Sequence, residues 1–356
     1  MSDTPERIPW IDALRGLAII LMVPANLAPY LAEPHAMWFR ILGSFAAPTF
    51  IMLSAGMVVL TAERHDLSYY LKRGGSILLI AMLIDVLMWG IFPWTSFDVL
   101  YTIGLALPLM YMLRKVDARE LLYISVIIVL ATYVLQRVFG YHAETLEVYF
   151  SEMFVPTPGR LLQSWFIDGW FPLFPWMGYA ILGAMFFRSL FAGDGVASTR
   201  FFLASAVLTA LGFLLLFLPL DESIVRNIAN GSILETRGGY SEIFYPPTFA
   251  YVFTSLGIVT LSASVLRRHG APWYLGVLGF FGRYSMLVYI LHQAMGTFVL
   301  EPMIAARGME AMDSGLWFTI ANVAVLAGIA AICLGIELLK KQRRPQGVFL
   351  QVLIGR

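Results

Sequence analysis

Apolar residues in this chain come in long runs, and the lengths of those runs predict its structure. Stretches of about 18 to 22 mainly apolar residues recur with approximate limits 11–30, 41–62, 75–93, 99–113, 121–138, 171–190, 201–220, 246–266, 277–303 and 316–338. As a helix, such a run crosses a hydrocarbon core of about 30 Å. The fourth run is short and leans on its flanks. No soluble domain fits between the runs, so residues 1–356 are expected to form a single all-α domain, a polytopic transmembrane helix bundle of about ten helices embedded in a lipid bilayer.

Basic residues accumulate in cytoplasmic connections and so set the orientation. With the N-terminus inside, Arg7, Arg64, Lys72, Arg73, Arg114, Lys115, Arg119, Arg188, Arg200, Arg267, Arg268, Lys340, Lys341, Arg343, Arg344 and Arg356 fall on the cytoplasmic side. Arg40, Arg137, Arg160, Arg226, Arg237 and Arg307 fall outside, while Arg15 and Arg283 lie within helix ends. All lysines are then inside, and an even number of crossings puts both termini in the cytoplasm.

Composition supports the membrane reading. Charged residues make up 13% of the chain against about 25% in soluble domains. The net charge of +1 excludes the basic field that would collect nucleic acid. A single cysteine, Cys333, excludes a disulfide framework. With one basic residue in Met1–Trp10 and Arg15 inside the first apolar run, no cleaved leader is expected. Two outer loops, roughly 139–170 and 221–245, are long. The first mixes Glu144, Glu147, Glu152 and Asp168 with Tyr149, Phe150, Trp165 and Trp170. That mixture suits a sugar ring, and it equally suits an interfacial aromatic belt. Asn230-Gly231-Ser232 is a glycosylation sequon.

Ionisable groups inside a bilayer cost several kcal/mol unless paired or hydrated, so they mark candidate sites. The first helix carries Asp12, Arg15 and Asn26. Asp12 and Arg15 are spaced to pair on one face. Arg15 and Asn26 share that face about 16 Å apart along the axis. Pro24 and Pro29 free backbone carbonyls near Asn26. The alternative is a snorkelling arginine with an interhelical asparagine bond. His35, just beyond this helix, is the best-placed general base in the chain, although a loop histidine is ordinarily only solvated. Ser285, Tyr289 and His292 share one stripe of the ninth helix, suited to packing as much as to chemistry. Asp85 is an acid without an identifiable partner, and His65, His142 and His269 read as solvated loop residues. No metal-ligand spacing, phosphate-binding loop or serine nucleophile motif is found.

Several blocks resemble a known family. RIPWIDALRGLAIILMVPAN (Arg7–Asn26), Pro34-His35-Ala36-Met37-Trp38 and Phe50–Gly56, which contains Ser54, are similar to the catalytic domain of heparan-α-glucosaminide N-acetyltransferase and its bacterial relatives. Leu71–Ser76, Val99–Gly104 and GRYSMLVYILHQ (Gly282–Gln293) resemble later segments of that family. The resemblance implies a ten- to eleven-helix acyltransferase that takes an acetyl group from cytosolic acetyl-CoA and passes it to a sugar amine across the membrane, here the plasma (bacterial inner) membrane. It implies His35 and Asn26 as the catalytic residues. Acyl-CoA would be held by Asp12, Arg15, Ser54, Arg73, Arg283, Ser285, Tyr289 and His292, with no metal. The expected acceptor is a carbohydrate or amino sugar on the outer side, and a homodimer is compatible with the sequence. Thr102 stands where the human enzyme has an arginine, and the outer loops differ, so the acceptor does not carry over. A secondary transporter is the alternative from another class, since it too would place Asp85, Arg15 and His292 inside a bundle.

Overall fold

The computed structural model describes residues 7–142, 144–152, 154–192, 195–217, 243, 245, 247–268, 273–342 and 347–354. The loop 221–245 lies outside them except for Ile243 and Tyr245, as do the sequon and His269. Every described element is helical apart from two isolated bridges, Leu31 with Met312 and Ile91 with Tyr149.

The helices are α1 (Pro9–Asn26), α2 (Met37–Gly43), α3 (Ala46–Thr61), α4 (Leu67–Ile84), α5 (Val99–Leu113), α6 (Ala118–Phe139), α7 (Pro158–Gln163) and α8 (Leu173–Ala192). They are followed by α9 (Gly195–Phe217), α10 (Phe249–Arg268), α11 (Trp273–Arg283), α12 (Ser285–Met295), α13 (Glu301–Ala305), α14 (Gly315–Gln342) and α15 (Val348–Leu353). Among the described residues, seven stretches are both long and apolar enough to cross a membrane: Pro9–Tyr30, Met37–Thr61, Ala118–Phe139, Leu173–Ala192, Phe249–Arg268, Ser285–Ala305 and Gly315–Leu339. α4, α5 and α9 occupy the other three expected positions, completing a polytopic helical bundle. On α6, Val126, Ile127, Leu130, Val134 and Val138 face outward, the apolar exterior that lipid requires.

α1 is the central helix. Pro9 opens it, where the missing N–H costs nothing, and Asp12 complements the positive end of the helix dipole. α3, α10, α11 and α12 all pack on it. The contact with α11 is backbone on backbone: a Cβ at Gly16 would stand 1.8 Å from the Leu278 carbonyl oxygen, and one at Gly282 would stand 1.8 Å from that of Asp12. Small residues permit such close approach between membrane helices.

The helix boundaries depart from expectation where polar groups intervene. The run 277–303 is not one helix. α11 descends along α1 from Gly16 to Asp12, the chain changes direction at Tyr284 (φ −106°, ψ 22°), and α12 then brings His292 to Asn26. The run 41–62 breaks at Ser44, whose hydroxyl donates to the Arg40 carbonyl at 2.6 Å and accepts the Ile243 N–H at 2.8 Å. α4 starts earlier than expected because the Asp66 side chain caps it, accepting the Tyr69 N–H at 3.0 Å. Its far end loosens into a π turn, Asp85–Trp89.

Two readings of isolated ionisable groups need correcting. Asp85 has partners: the Tyr101 hydroxyl donates to it at 2.5 Å and Ser96 at 3.4 Å, from chain that folds back over the π turn. His142 is not merely solvated. Its Nδ1 lies 2.5 Å from Asp168, which is fully buried and also receives Arg160 at 2.7 Å. In the same loop Glu147 accepts bonds from Trp170 and Tyr149, both at 2.8 Å. Partial burial and this carboxylate push the Tyr149 hydroxyl up to about 12, which keeps it a donor. Asp168 and Glu147 are therefore engaged within the 139–170 loop, whose rings Phe150, Trp165 and Trp170 pack on Phe92, Trp94 and Tyr245 outside it.

Candidate active site

A cavity of about 1330 Å³ lies within the bundle, walled by α1, α3, α4, α5, α11, α12 and the short α15. Its volume exceeds the roughly 300–1,000 Å³ of ordinary small-molecule pockets, as an elongated ligand would need. The two ends differ in chemistry. One is lined by Arg7, Arg15, Arg64, Arg73 and Arg283, the other by Asn26, Asp98 and Phe171. Between them Met22, Leu53, Val58, Ile103 and Met286 form an apolar passage, with Ser54 and Ser285 also on the wall.

The helix packing creates the cationic end. Arg15 reaches Asp12 at 2.8 Å and Arg7 reaches the other oxygen of Asp12 at 3.3 Å. The glycine contacts that press α11 onto α1 carry Arg283 to the same end, where it stands 3.9 Å from Glu337. α4 adds Arg73, 3.5 Å from the Tyr69 hydroxyl. His65 stacks on the Tyr69 ring at 3.9 Å between centroids and lines the cavity, so this histidine too is part of the wall. Several guanidinium groups around one mouth, beside a flat stacked pair, suit a polyphosphate carrying an aromatic base.

At the other end α12 holds two wall residues in place. Tyr289 donates to Asp98 at 2.5 Å. One turn on, His292 lies 3.1 Å from the Val288 carbonyl through Nδ1 and 3.0 Å from the Asn26 amide nitrogen through Nε2. A carbonyl can only accept, so Nδ1 carries the proton and Nε2 takes a bond from the amide. This fixes the Asn26 amide and leaves its second N–H and its oxygen for a ligand. The Tyr289 and His292 rings meet edge to face at 5.3 Å, which links the two pairs.

Asp12, Arg15, Asn26, Ser54, Arg73, Arg283, Ser285 and Tyr289 thus line one cavity. His292 stands behind Asn26 and does not line it. His35 is also off the wall: it is buried, its Nε2 donates to the Leu31 carbonyl at 3.0 Å, and its Nδ1 has no partner among the described residues. Sequence reasoning missed Asp98, Arg64, and Gln351 and Val352 of α15. Asp98 left one signal, an acid directly before the apolar run at 99.

The family model for heparan-alpha-glucosaminide N-acetyltransferase, catalytic, matches residues 7–219, more than half of the chain. The chain belongs to this family. Membership makes it a membrane acetyltransferase-type protein. The match takes in α1, α3 and α4, which contribute Arg15, Asn26, Ser54 and Arg73, and α5 with Asp98 directly before it. A comparison with curated proteins finds no match. No group of three or more potential metal ligands occurs among the described residues.

Proposed function

We propose that the protein transfers an acyl group, acetyl in the first instance, from cytosolic acyl-CoA to an amino-sugar or glycan acceptor on the opposite side of the membrane. The observation that carries this reading is the two-ended cavity in a chain of this family. The phosphates of CoA bind among Arg15, Arg73 and Arg283 at the end that the basic-residue pattern assigns to the cytoplasm. The pantetheine arm runs along the apolar passage, about the length of the Arg15–Asn26 track. There the free N–H of Asn26 meets the thioester carbonyl and stabilises the oxyanion that develops on attack. His292 acts through Asn26 by fixing its amide.

The resemblance gives the base to His35. Its lone pair is on Nδ1, because Nε2 donates to Leu31, and the ring would have to swing to bring that nitrogen to the cavity. No specific observation favours the transporter reading. Purified protein incubated with acetyl-CoA tests the proposal. Free CoA is expected to accumulate and to accumulate faster with an acceptable amino sugar. Absence of both acetyl-CoA binding and CoA release would reject it.

A further inference from the structure

The cationic end of the cavity is completed by a part of the chain that the reading above leaves without a task. α15 lies beyond residues 7–219, so the family match gives it no role. Terminal segments are ordinarily loose unless they dock on the body of the fold, and this one docks. Gly347, at φ 94°, turns the chain into the helix, which packs on α4 and α12. Val352 anchors it, being only 4% exposed. α14 ends at Gln342, shortly after Glu337 has passed beside Arg283, so α15 follows at the cationic end. There Gln351 and Val352 line the cavity. The side-chain amide of Gln351 has no hydrogen-bond partner among the described residues.

We infer that Gln351 reads the adenine base of the donor nucleotide, and that α15 is the element that presents it. This rests on the acyl-CoA reading of the cavity. The arginines at this end answer the phosphates, and a phosphate contact carries no information about the base. His65 and Tyr69, stacked at 3.9 Å on the same wall, offer an aromatic face, which any base can use. Neither contact tells adenine from another ring. A carboxamide does, because its N–H and C=O together match the N7 acceptor and N6 donor of adenine. Two carboxamides line the described wall. Asn26 is bonded to His292 at the far end, which leaves Gln351 for the nucleotide. Burial of Val352 fixes the helix in advance, so the amide is presented from a docked element and little ordering cost falls on binding.

The test measures donor binding by the purified full chain with three ligands. They are acetyl-CoA, its etheno-adenine analogue, whose base has lost the N6–H donors, and S-acetyl-phosphopantetheine, which has no nucleotide. The wild type should bind acetyl-CoA about tenfold more tightly than the etheno analogue. Gln351→Ala should bind acetyl-CoA about tenfold more weakly than the wild type and should no longer distinguish it from the analogue. Its affinity for S-acetyl-phosphopantetheine should be that of the wild type. CoA release at saturating acetyl-CoA should also be unchanged, since the thioester end is untouched. Equal wild-type affinity for acetyl-CoA and the etheno analogue would overturn the proposal without any variant. So would a Gln351→Ala protein that binds acetyl-CoA as tightly as the wild type or still prefers it to the analogue. Equal weakening toward S-acetyl-phosphopantetheine would overturn it too, because that is the signature of a structural role for Gln351. A wild type that binds none of the three instead defeats the acyl-CoA reading itself.

Discussion

Gly16→Ala tests the contact from which the whole site is built. An added methyl would sit 1.8 Å from the Leu278 carbonyl oxygen and 2.9 Å from its Cα, all rigid backbone. A carbon and a carbonyl oxygen ordinarily approach no closer than about 3.3 Å, so α1 and α11 would have to separate by roughly 1.5 Å. Overpacking a well-fitted interface costs about 1–3 kcal/mol, and a clash between two backbones belongs at the upper end of that range. The displacement also moves Arg283 away from Asp12 and Arg15, so acetyl-CoA should bind more weakly at temperatures where the variant is still folded. The assay is thermal unfolding in detergent with and without acetyl-CoA. Gly75→Ala is the control, since a Cβ there meets nothing within 4 Å. A Gly16→Ala protein as stable as the control, with unchanged acetyl-CoA affinity, would refute the α1–α11 packing and the cationic end built on it.

Arg15→Ala and Arg73→Ala should each weaken acetyl-CoA binding about tenfold while leaving the fold intact, because each removes a charge-assisted hydrogen bond to a phosphate. Unchanged calorimetric affinity in both would move the nucleotide elsewhere. Cysteines placed at Glu144 should be labelled from outside intact cells and those at Lys115 should not. The native Cys333 is fully buried and gives little background. Labelling at position 115 would overturn the threading.

Crossing segments were legible because hydrocarbon thickness imposes a length on each apolar run; the limits found for 99–113 coincide with those of α5. The breaks at Ser44 and Tyr284 were not legible. Each depends on contacts with distant chain, Ile243 and Tyr251 at Ser44 and the α1 backbone at α11, which no local spacing encodes. The Arg15–Asn26 track was readable from helical period alone, and the structure puts both residues on one cavity. Asp98 was hidden for the opposite reason. As an acid just before a helix it looks like an ordinary N-terminal residue, and its meaning comes from Tyr289, far along the chain. Asp85 looked orphaned because its partners Ser96 and Tyr101 reach it only after the π turn folds the chain back.

The central claim is that acyl transfer from CoA takes place at Asn26 inside the cavity. It is tested most directly by measuring CoA release per bound acetyl-CoA in the wild type and in Asn26→Ala. The account predicts acetyl-CoA affinity within a few-fold of wild type, because the arginines hold the nucleotide at the other end, and release slowed by about 10²-fold through loss of the oxyanion donor. Release at the wild-type rate from Asn26→Ala would contradict it.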